Sequence, residues 1–388
     1  MKFRSRLNID LSIFSSNLNC LKEIAPSNDI LFMVKADGYG HGSKSIVSFS
    51  YNELNIKEFG TATLEEALVL RRELSKEELE LYVFSDLQIS EKSNIELYLN
   101  QRIIPVISNI NDLQIFLNAS DFSHFPLVLK FNTGMNRLGF DLEETESVIK
   151  LIKKSGRSSI DHLMSHFSSS SLSMNKNKRN IYQKEKFVEL KSQLKGSGIS
   201  INKSSLSNSG AIIQKSGLEE SHIRPGLMLF GPSSILPSLR EKYPWSGKII
   251  SKLETYIIRT YPVEKGCPVG YGATPCPDNG IIAIIALGYG DGFLTRSQGS
   301  TITFKGHQGK VVGRVNMDMA QIFFDKSAAQ DLRAGELFIV WGHNQEHFLD
   351  FAEQSGAIPY ELFCQLSSRI PRIFSLNYKY VECENSAD

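Results

Sequence analysis

No CxxC pair occurs in the 388 residues, and the five cysteines, Cys20, Cys267, Cys276, Cys364 and Cys383, are an odd number scattered singly. That spacing argues against a zinc ribbon or a disulfide framework, so no metal site and a reduced, cytoplasmic setting are expected. An excess of either charge is missing too: 43 Lys+Arg stand against 42 Asp+Glu, a formal net charge of +1. Such a balance offers neither the basic field that holds nucleic acid nor an acidic tail. Long apolar runs are absent. The longest purely aliphatic one, Ile281–Leu287, falls far short of the roughly 20 residues that span a bilayer. Met1 to Arg6 has the charge of a signal n-region, but Asn8, Asp10, Ser12, Ser15 and Ser16 follow where an apolar h-region belongs. Membrane, secreted and nucleic-acid classes are therefore not expected. What is present is a 41% hydrophobic share, ordinary for a globular chain, and a length suited to two domains or one large one.

The first 230 or so residues alternate short apolar runs with amphipathic stretches. The runs are Ile30–Val34, Phe59–Ala62, Leu81–Phe84, Ile103–Ile107, Leu127–Phe131, Ile160–Ser165, Ile201–Leu206 and Ile223–Phe230. Helical patterns lie between them, as at Leu64–Leu70 and Phe187–Leu194. Eight strands separated by helices predict an α/β fold, an N-terminal (β/α)₈ barrel of the TIM type; a doubly wound open sheet would show the same alternation. The Ser-rich then basic segment Ser168–Arg179 reads as a solvated loop. A breaker cluster, Pro237, Tyr243-Pro244-Trp245 and Gly247, reads as a linker. Beyond it, β-rich runs at short spacing predict a mostly-β C-terminal domain: Leu253–Thr260, Ile281–Leu287, Thr301–Phe304, Lys310–Val315, Gln321–Phe324 and Leu337–Trp341. The expected division is 1–240 for the barrel and 241–388 for the β domain.

The most informative stretch is Phe32-Met33-Val34-Lys35-Ala36-Asp37-Gly38-Tyr39-Gly40-His41-Gly42. An apolar strand delivers a lysine at its C-terminal end, and in a barrel strand C-termini form the active-site face. Partial desolvation there lowers a lysine's pKa and favours the neutral amine that forms a Schiff base.

V-K-A-D-G-Y-G-H-G resembles the pyridoxal-phosphate signature of the alanine racemase family. The resemblance recurs in order: Lys130 to Gly139, His166-Phe167, Asn208-Ser209, Arg224-Pro225-Gly226, Gly270 to Thr274, Gly288 to Gly292, Gly313 to Asp318, and Arg369-Ile370-Pro371-Arg372. It implies a barrel followed by a β domain, pyridoxal 5'-phosphate as cofactor, and an isomerase interconverting L- and D-alanine for cell-wall supply. It also implies a homodimer whose partner completes each site.

Inverting Cα requires two acid/base groups on opposite faces of one planar species. The resemblance assigns these to Lys35 and to Tyr271 from across the dimer. A tyrosine near pKa 10 is a poor base at neutral pH unless its anion is supported; the family's chain of His166 and Arg224 supplies that support. Arg224 would also face the cofactor's ring nitrogen. Tyr39 and Ser209, with the backbone of Gly226 and Leu227, would hold the phosphate. Arg137 would take the substrate carboxylate, buttressed by Lys130, which the family carbamylates. Met317 matches a substrate contact from the partner, and Tyr289 and Asp318 are supporting positions. Three positions depart from the pattern. Ser368 stands where a cofactor-side tyrosine is expected, Asn316 replaces a cysteine and Asn132 an aspartate. They raise a racemase of broader specificity, serine included, as an alternative. A pyridoxal-phosphate decarboxylase or a non-catalytic carrier fits less well, since the decarboxylase elements are missing and the β domain is present.

Overall fold

In a computed structural model that describes residues 3–74, 78–376 and 379–381, the first strand, β1 (Ser5–Asp10), alternates fully and half-buried positions. Leu7 and Ile9 point into the core, the period-2 signature of a strand with one covered face. Asp10 ends it and caps the helix Leu11–Ile24, its carboxylate accepting from the N–H groups of Ser12 and Ile13.

The eight predicted runs become β2 (Asp29–Met33), β3 (Glu58–Thr61), β4 (Glu80–Val83), β5 (Ile103–Ile107), β6 (Val128–Lys130), β7 (Ser159–Met164), β8 (Ser200–Asn208) and β9 (His222–Arg224). They are parallel and close into a barrel, β9 returning to β2 through Asp29↔His222 and Ile30↔Ile223. The last run ends earlier than its hydrophobicity suggests. Pro225 has no N–H for the ladder, and Leu227–Phe230 turn into a short 3₁₀ segment.

Helices cover the outside for local reasons. Leu64–Leu74 buries Leu64, Ala67 and Leu70 on one side. Its first turn holds Glu65 and Glu66 and its last Arg71 and Arg72, both favourable to the helix dipole. Inside the barrel, Leu31, Tyr82, Ile104, Val106, Val128 and Met164 form an apolar layer. Below it, toward the strand N-termini, Lys203 and His222 meet Glu58. The segment 168–179 is more anchored than a solvated loop. Met174 is buried, and its N–H donates to the Gln214 side chain.

The breaker cluster is a packed connection. Trp245 is buried and donates its indole N–H to the Gly231 carbonyl. Beyond it come β10 (Ser251–Val263), β11 (Pro268–Val269), β12 (Thr274–Pro275), β13 (Gly280–Ile285), β14 (Thr301–Phe304), β15 (His307–Val312), β16 (Ala320–Asp325), β17 (Leu337–Trp341), β18 (Arg372–Leu376) and β19 (Lys379–Val381). Nine strands form one sheet in the order β14-β15-β16-β13-β10-β1-β18-β19, with β17 also on β10. Thus β1, which chain position alone groups with residues 1–240, pairs antiparallel with β10 and parallel with β18. β11 and β12 make a separate hairpin with residues 270–273 at its tip.

Candidate active site

The residues after β2 turn with the wrong hand. Ala36, Asp37, Gly38 and Tyr39 all have φ between 52° and 61°, a left-handed turn that costs each non-glycine residue about 1–2 kcal/mol. Surrounding groups hold it. The Glu66 carboxylate accepts from the N–H groups of Ala36 (2.7 Å) and Ala62 (2.8 Å). Asp37 accepts from the Ser43 N–H at 2.8 Å. Gly40, at φ +76°, lies so close to the Phe363 carbonyl that any Cβ would collide with it. The result aims Lys35 into the barrel mouth and buries Tyr39.

His41 locks the turn to the second unit. It is fully buried, stacks on Phe230 at 4.8 Å, donates Nδ1–H to the Tyr39 carbonyl and meets Ser251 Oγ with Nε2 at 3.0 Å. Burial drops its pKa to about 3. Because the unfolded imidazole titrates near 6.5, the unfolded state binds the extra proton below that pH. This contribution is complete above 6.5 and is lost as pH falls toward 3, by roughly 1.4 kcal/mol per unit. Denaturant titrations at pH 7 and pH 5 should show His41→Gln losing about 2 kcal/mol less than the wild type. Equal losses would remove His41 as the cause.

A cavity of about 120 Å³ opens at the C-terminal ends of the strands, and Lys35, Tyr39, Lys130, Arg137, His166, Asn208, Ser209, Arg224, Gly226, Leu227 and Tyr360 line it. Its charge is one-sided. Burial first, then Arg137, lowers the Lys35 ammonium. Lys130 falls to about 7 through burial and the neighbouring Arg137, Arg224 and Lys35. Arg224 is 4% exposed, and burial alone brings it down to about 10. Its guanidinium donates to Ser205 Oγ and the Ser165 carbonyl and lies 3.4 Å from His166 Nδ1. Burial, then the charges of Arg224, Lys130, Arg137 and Lys35, hold His166 well below its usual range. A cavity lined by this many cations and no carboxylate is built for anionic groups.

One side of the cavity is a donor cup. Ser209 Oγ accepts from the N–H groups of Gly226 (3.1 Å) and Met228 (3.4 Å). Tyr39 Oη occupies the space a Cβ on residue 226 would need, so only glycine allows the hydroxyl in. Tyr360 packs 5.9 Å from the Tyr39 ring, and burial raises its phenol to about 12.

Tyr360 is a lining residue that the sequence reading did not name. Ser368 is exposed and does not line the cavity; the tyrosine on that side comes from a helix, Pro359–Cys364, eight residues earlier. Asn132 also has a local task. Its Oδ1 accepts from the N–H groups of Gly134 and Asn136 and its Nδ2 donates to Asp141, shaping the loop that carries Arg137.

Besides Ser368, four predicted residues stay outside the cavity of a single chain: Tyr271, Met317, Tyr289 and the half-buried Asp318. Tyr271 is 70% exposed at the tip of the β11–β12 hairpin, Met317 54% and Tyr289 46%. Their loops are firmly held. The N–H groups of Tyr289 and Gly290 donate to the carbonyls of Asn316 and Met317, and Arg369 bridges Asp318 (2.8 Å) and Asp291 (3.3 Å).

Comparison with known proteins agrees with this architecture along nearly the whole chain. Residues 9–234 match the family model for the alanine racemase N-terminal domain, and residues 250–374 that for its C-terminal domain. The chain belongs to the alanine racemase family. The alanine racemase of Nitrosococcus oceani is 31% identical over 369 residues, 94% of this chain and 97% of that one. Among solved structures, alanine racemase from Acinetobacter baumannii superposes with a TM-score of 0.81 at 29% identity, over 96% of this chain and 100% of that chain. The alanine racemase of Bartonella henselae, with covalently bound pyridoxal phosphate, gives 0.82 at 25% identity, over 96% and 100%.

For an alanine racemase family member the cavity passes a test of fit to that cofactor. A lysine with a lowered pKa stands at its mouth, the glycine-permitted cup of Tyr39 and Ser209 suits a phosphate, and Arg224 lies across the floor. Among the described residues, no three His, Cys, Asp or Glu side chains converge as metal ligands, and no helix is long and apolar enough to cross a membrane.

Proposed function

We propose that this chain is a racemase interconverting L- and D-alanine, with pyridoxal phosphate at Lys35 and a second copy of the chain completing each site. The observation that carries the reading is the cationic cavity around Lys35, in a chain that matches alanine racemases end to end. Once bound there, the cofactor supplies an electron sink that makes the substrate's Cα–H acidic. Tyr39, Ser209 and the backbone at Gly226 and Leu227 would hold its phosphate, and Arg224 would face its ring nitrogen. Being permanently charged, a guanidinium does not readily give up a proton.

Lys35 Nζ moves the Cα proton on one face. Tyr271 of the second copy serves the opposite face, with His166 beside it and Arg224 behind. Its exposure within one chain supports a role across an interface. Met317 and Tyr289 line that same face. Arg137 binds the substrate carboxylate, and Lys130 supports Arg137. With a pKa near 7 and no acidic partner, Lys130 suits conversion to an anionic carbamate. Of the three positions that raised broader specificity, Ser368 lies away from the cavity, which Tyr360 lines, and Asn132 shapes the loop of Arg137. A reducing cytoplasm suits Cys20, Cys267, Cys276 and Cys364, which are free; Cys383 lies outside the described residues.

The deciding experiment is a racemisation assay of the purified, cofactor-loaded protein on alanine, serine and lysine. Alanine should be turned over by far the fastest, and inactivity toward it would sink the reading. Arg137→Gln should raise KM for alanine by roughly 10–100-fold, the worth of a charge-assisted pair. Initial rates against concentration check this, and an unchanged KM would place the carboxylate elsewhere.

A further inference from the structure

On the inner wall of the barrel, a second histidine lies one side chain away from Arg224. His162 on β7 is 1% exposed, and its Nε2 lies 2.9 Å from Ser205 Oγ on β8. The same Ser205 oxygen accepts from the Arg224 guanidinium on β9. Three neighbouring strands thus present one continuous row, Arg224–Ser205–His162.

The protons in this row can be counted. A guanidinium only donates, so Ser205 must be the acceptor toward Arg224. Its own hydroxyl proton then needs another acceptor, and an unprotonated His162 Nε2 supplies one. His162 Nδ1 has no hydrogen-bond partner among the described residues. With the imidazole proton on Nδ1, one buried N–H is unpaired. With it on Nε2, the serine hydroxyl proton and the Nδ1 lone pair are both unpaired, and a protonated ring would add a cation against Arg224. The cost of unpaired buried polar groups selects the first arrangement. In it, His162 fixes the rotation of the Ser205 hydroxyl so that the oxygen's lone pairs face Arg224.

We propose that His162 is a positioning residue for the racemisation site, holding Arg224 toward the cofactor ring through Ser205. This rests on the reading that Arg224 faces the ring nitrogen. Ser165 and Leu206 supply backbone carbonyls to the same guanidinium and His166 Nδ1 lies 3.4 Å from it; the Ser205 bond is the contact through which His162 reaches Arg224. His162 touches no reacting atom, and its effect belongs in kcat and in the cofactor's spectrum, with little change in KM.

The test uses the cofactor-loaded enzyme in four variants: His162→Leu, His162→Gln, Ser205→Ala and Arg224→Gln. Expected are a shift of the cofactor's visible absorption band in H162L and S205A, and a fall in kcat of roughly tenfold, as for one hydrogen bond to a charged group. KM for alanine should stay within about twofold. The double variant H162L/S205A should be no worse than either single one, because both break the same connection. H162Q, whose amide oxygen can accept from Ser205, should restore most of the band position and rate. Should H162L fold poorly, S205A and H162Q, which change the packing least, decide the question by themselves. A band that moves in R224Q but not in H162L or S205A would overturn the proposal, as would effects that multiply in the double variant. A band unmoved even in R224Q would overturn the placement of Arg224 and this proposal with it.

Discussion

Lys35→Ala should abolish alanine racemisation, by at least about 10⁴-fold, while leaving the chain folded. The magnitude is that of removing a group that both bonds the cofactor and moves the proton. Folding should survive because the Lys35 side chain makes no hydrogen bond or ion pair among the described residues. Its ammonium instead sits near Arg137 and Lys130, so its loss relieves repulsion. Lys35→Arg is the sharper control. It keeps a positive charge in the cavity but offers a guanidinium that stays protonated and makes no Schiff base. Both variants should be inactive, with melting temperatures no lower than that of the cofactor-free wild type, by coupled assay and thermal denaturation. Substantial activity in K35R would mean that the lysine acts through charge alone.

Tyr271→Phe should lower racemisation by roughly 10³-fold, the scale of losing one general acid/base. The two directions must fall together, because enantiomers have equal free energy and the equilibrium constant stays at one. The asymmetry appears in isotope exchange. In D₂O, with Lys35 intact, deuterium should still enter Cα of one enantiomer much faster than racemisation occurs. Exchange that remains equal for both would sink the two-base assignment. The same variant tests where Tyr271 acts. Mixed and reassembled with K35A, it should regain about a quarter of wild-type activity, since half of a statistical mixture of dimers is hybrid and each hybrid has one intact site. No regain would place Tyr271 in its own chain's site.

Much of this was readable along the chain, for identifiable reasons. Barrel strands buried on both faces, such as Ile103–Ile107, are continuous apolar runs and appear in the sequence within a few residues, whereas β8 is largely polar and β9 ends six residues before its apolar run does. The lysine after β2 is legible because strand, cation and glycines are contiguous. β1 escaped because Arg6, Asn8 and Asp10 interrupt any apolar run, although Leu7 and Ile9 alternate with them as a one-faced strand should. Tyr360 escaped because its neighbour in space, Tyr39, is more than 300 positions away in the chain. The link between His162 and Arg224 was invisible for a similar reason. It depends on the register of three parallel strands, which no local pattern encodes. Tyr271 and Met317 were found only by resemblance; each is exposed in a single chain, and side-chain chemistry alone would not single them out.

The pairing of β1 with β18 carries a consequence for how the molecule comes into being. Leu7 faces Arg372 and Asp10 faces Ser375, so the first strand made waits for nearly the last. At roughly 5–20 residues per second of synthesis that wait is on the order of tens of seconds, during which the barrel strands can meet while an apolar edge of Leu7 and Ile9 stays open. Chains shortened before residue 372 should therefore leave an unpaired strand beside β10, a template for aggregation. Completion of the second sheet thus couples β1 to a strand more than 360 residues further along the chain.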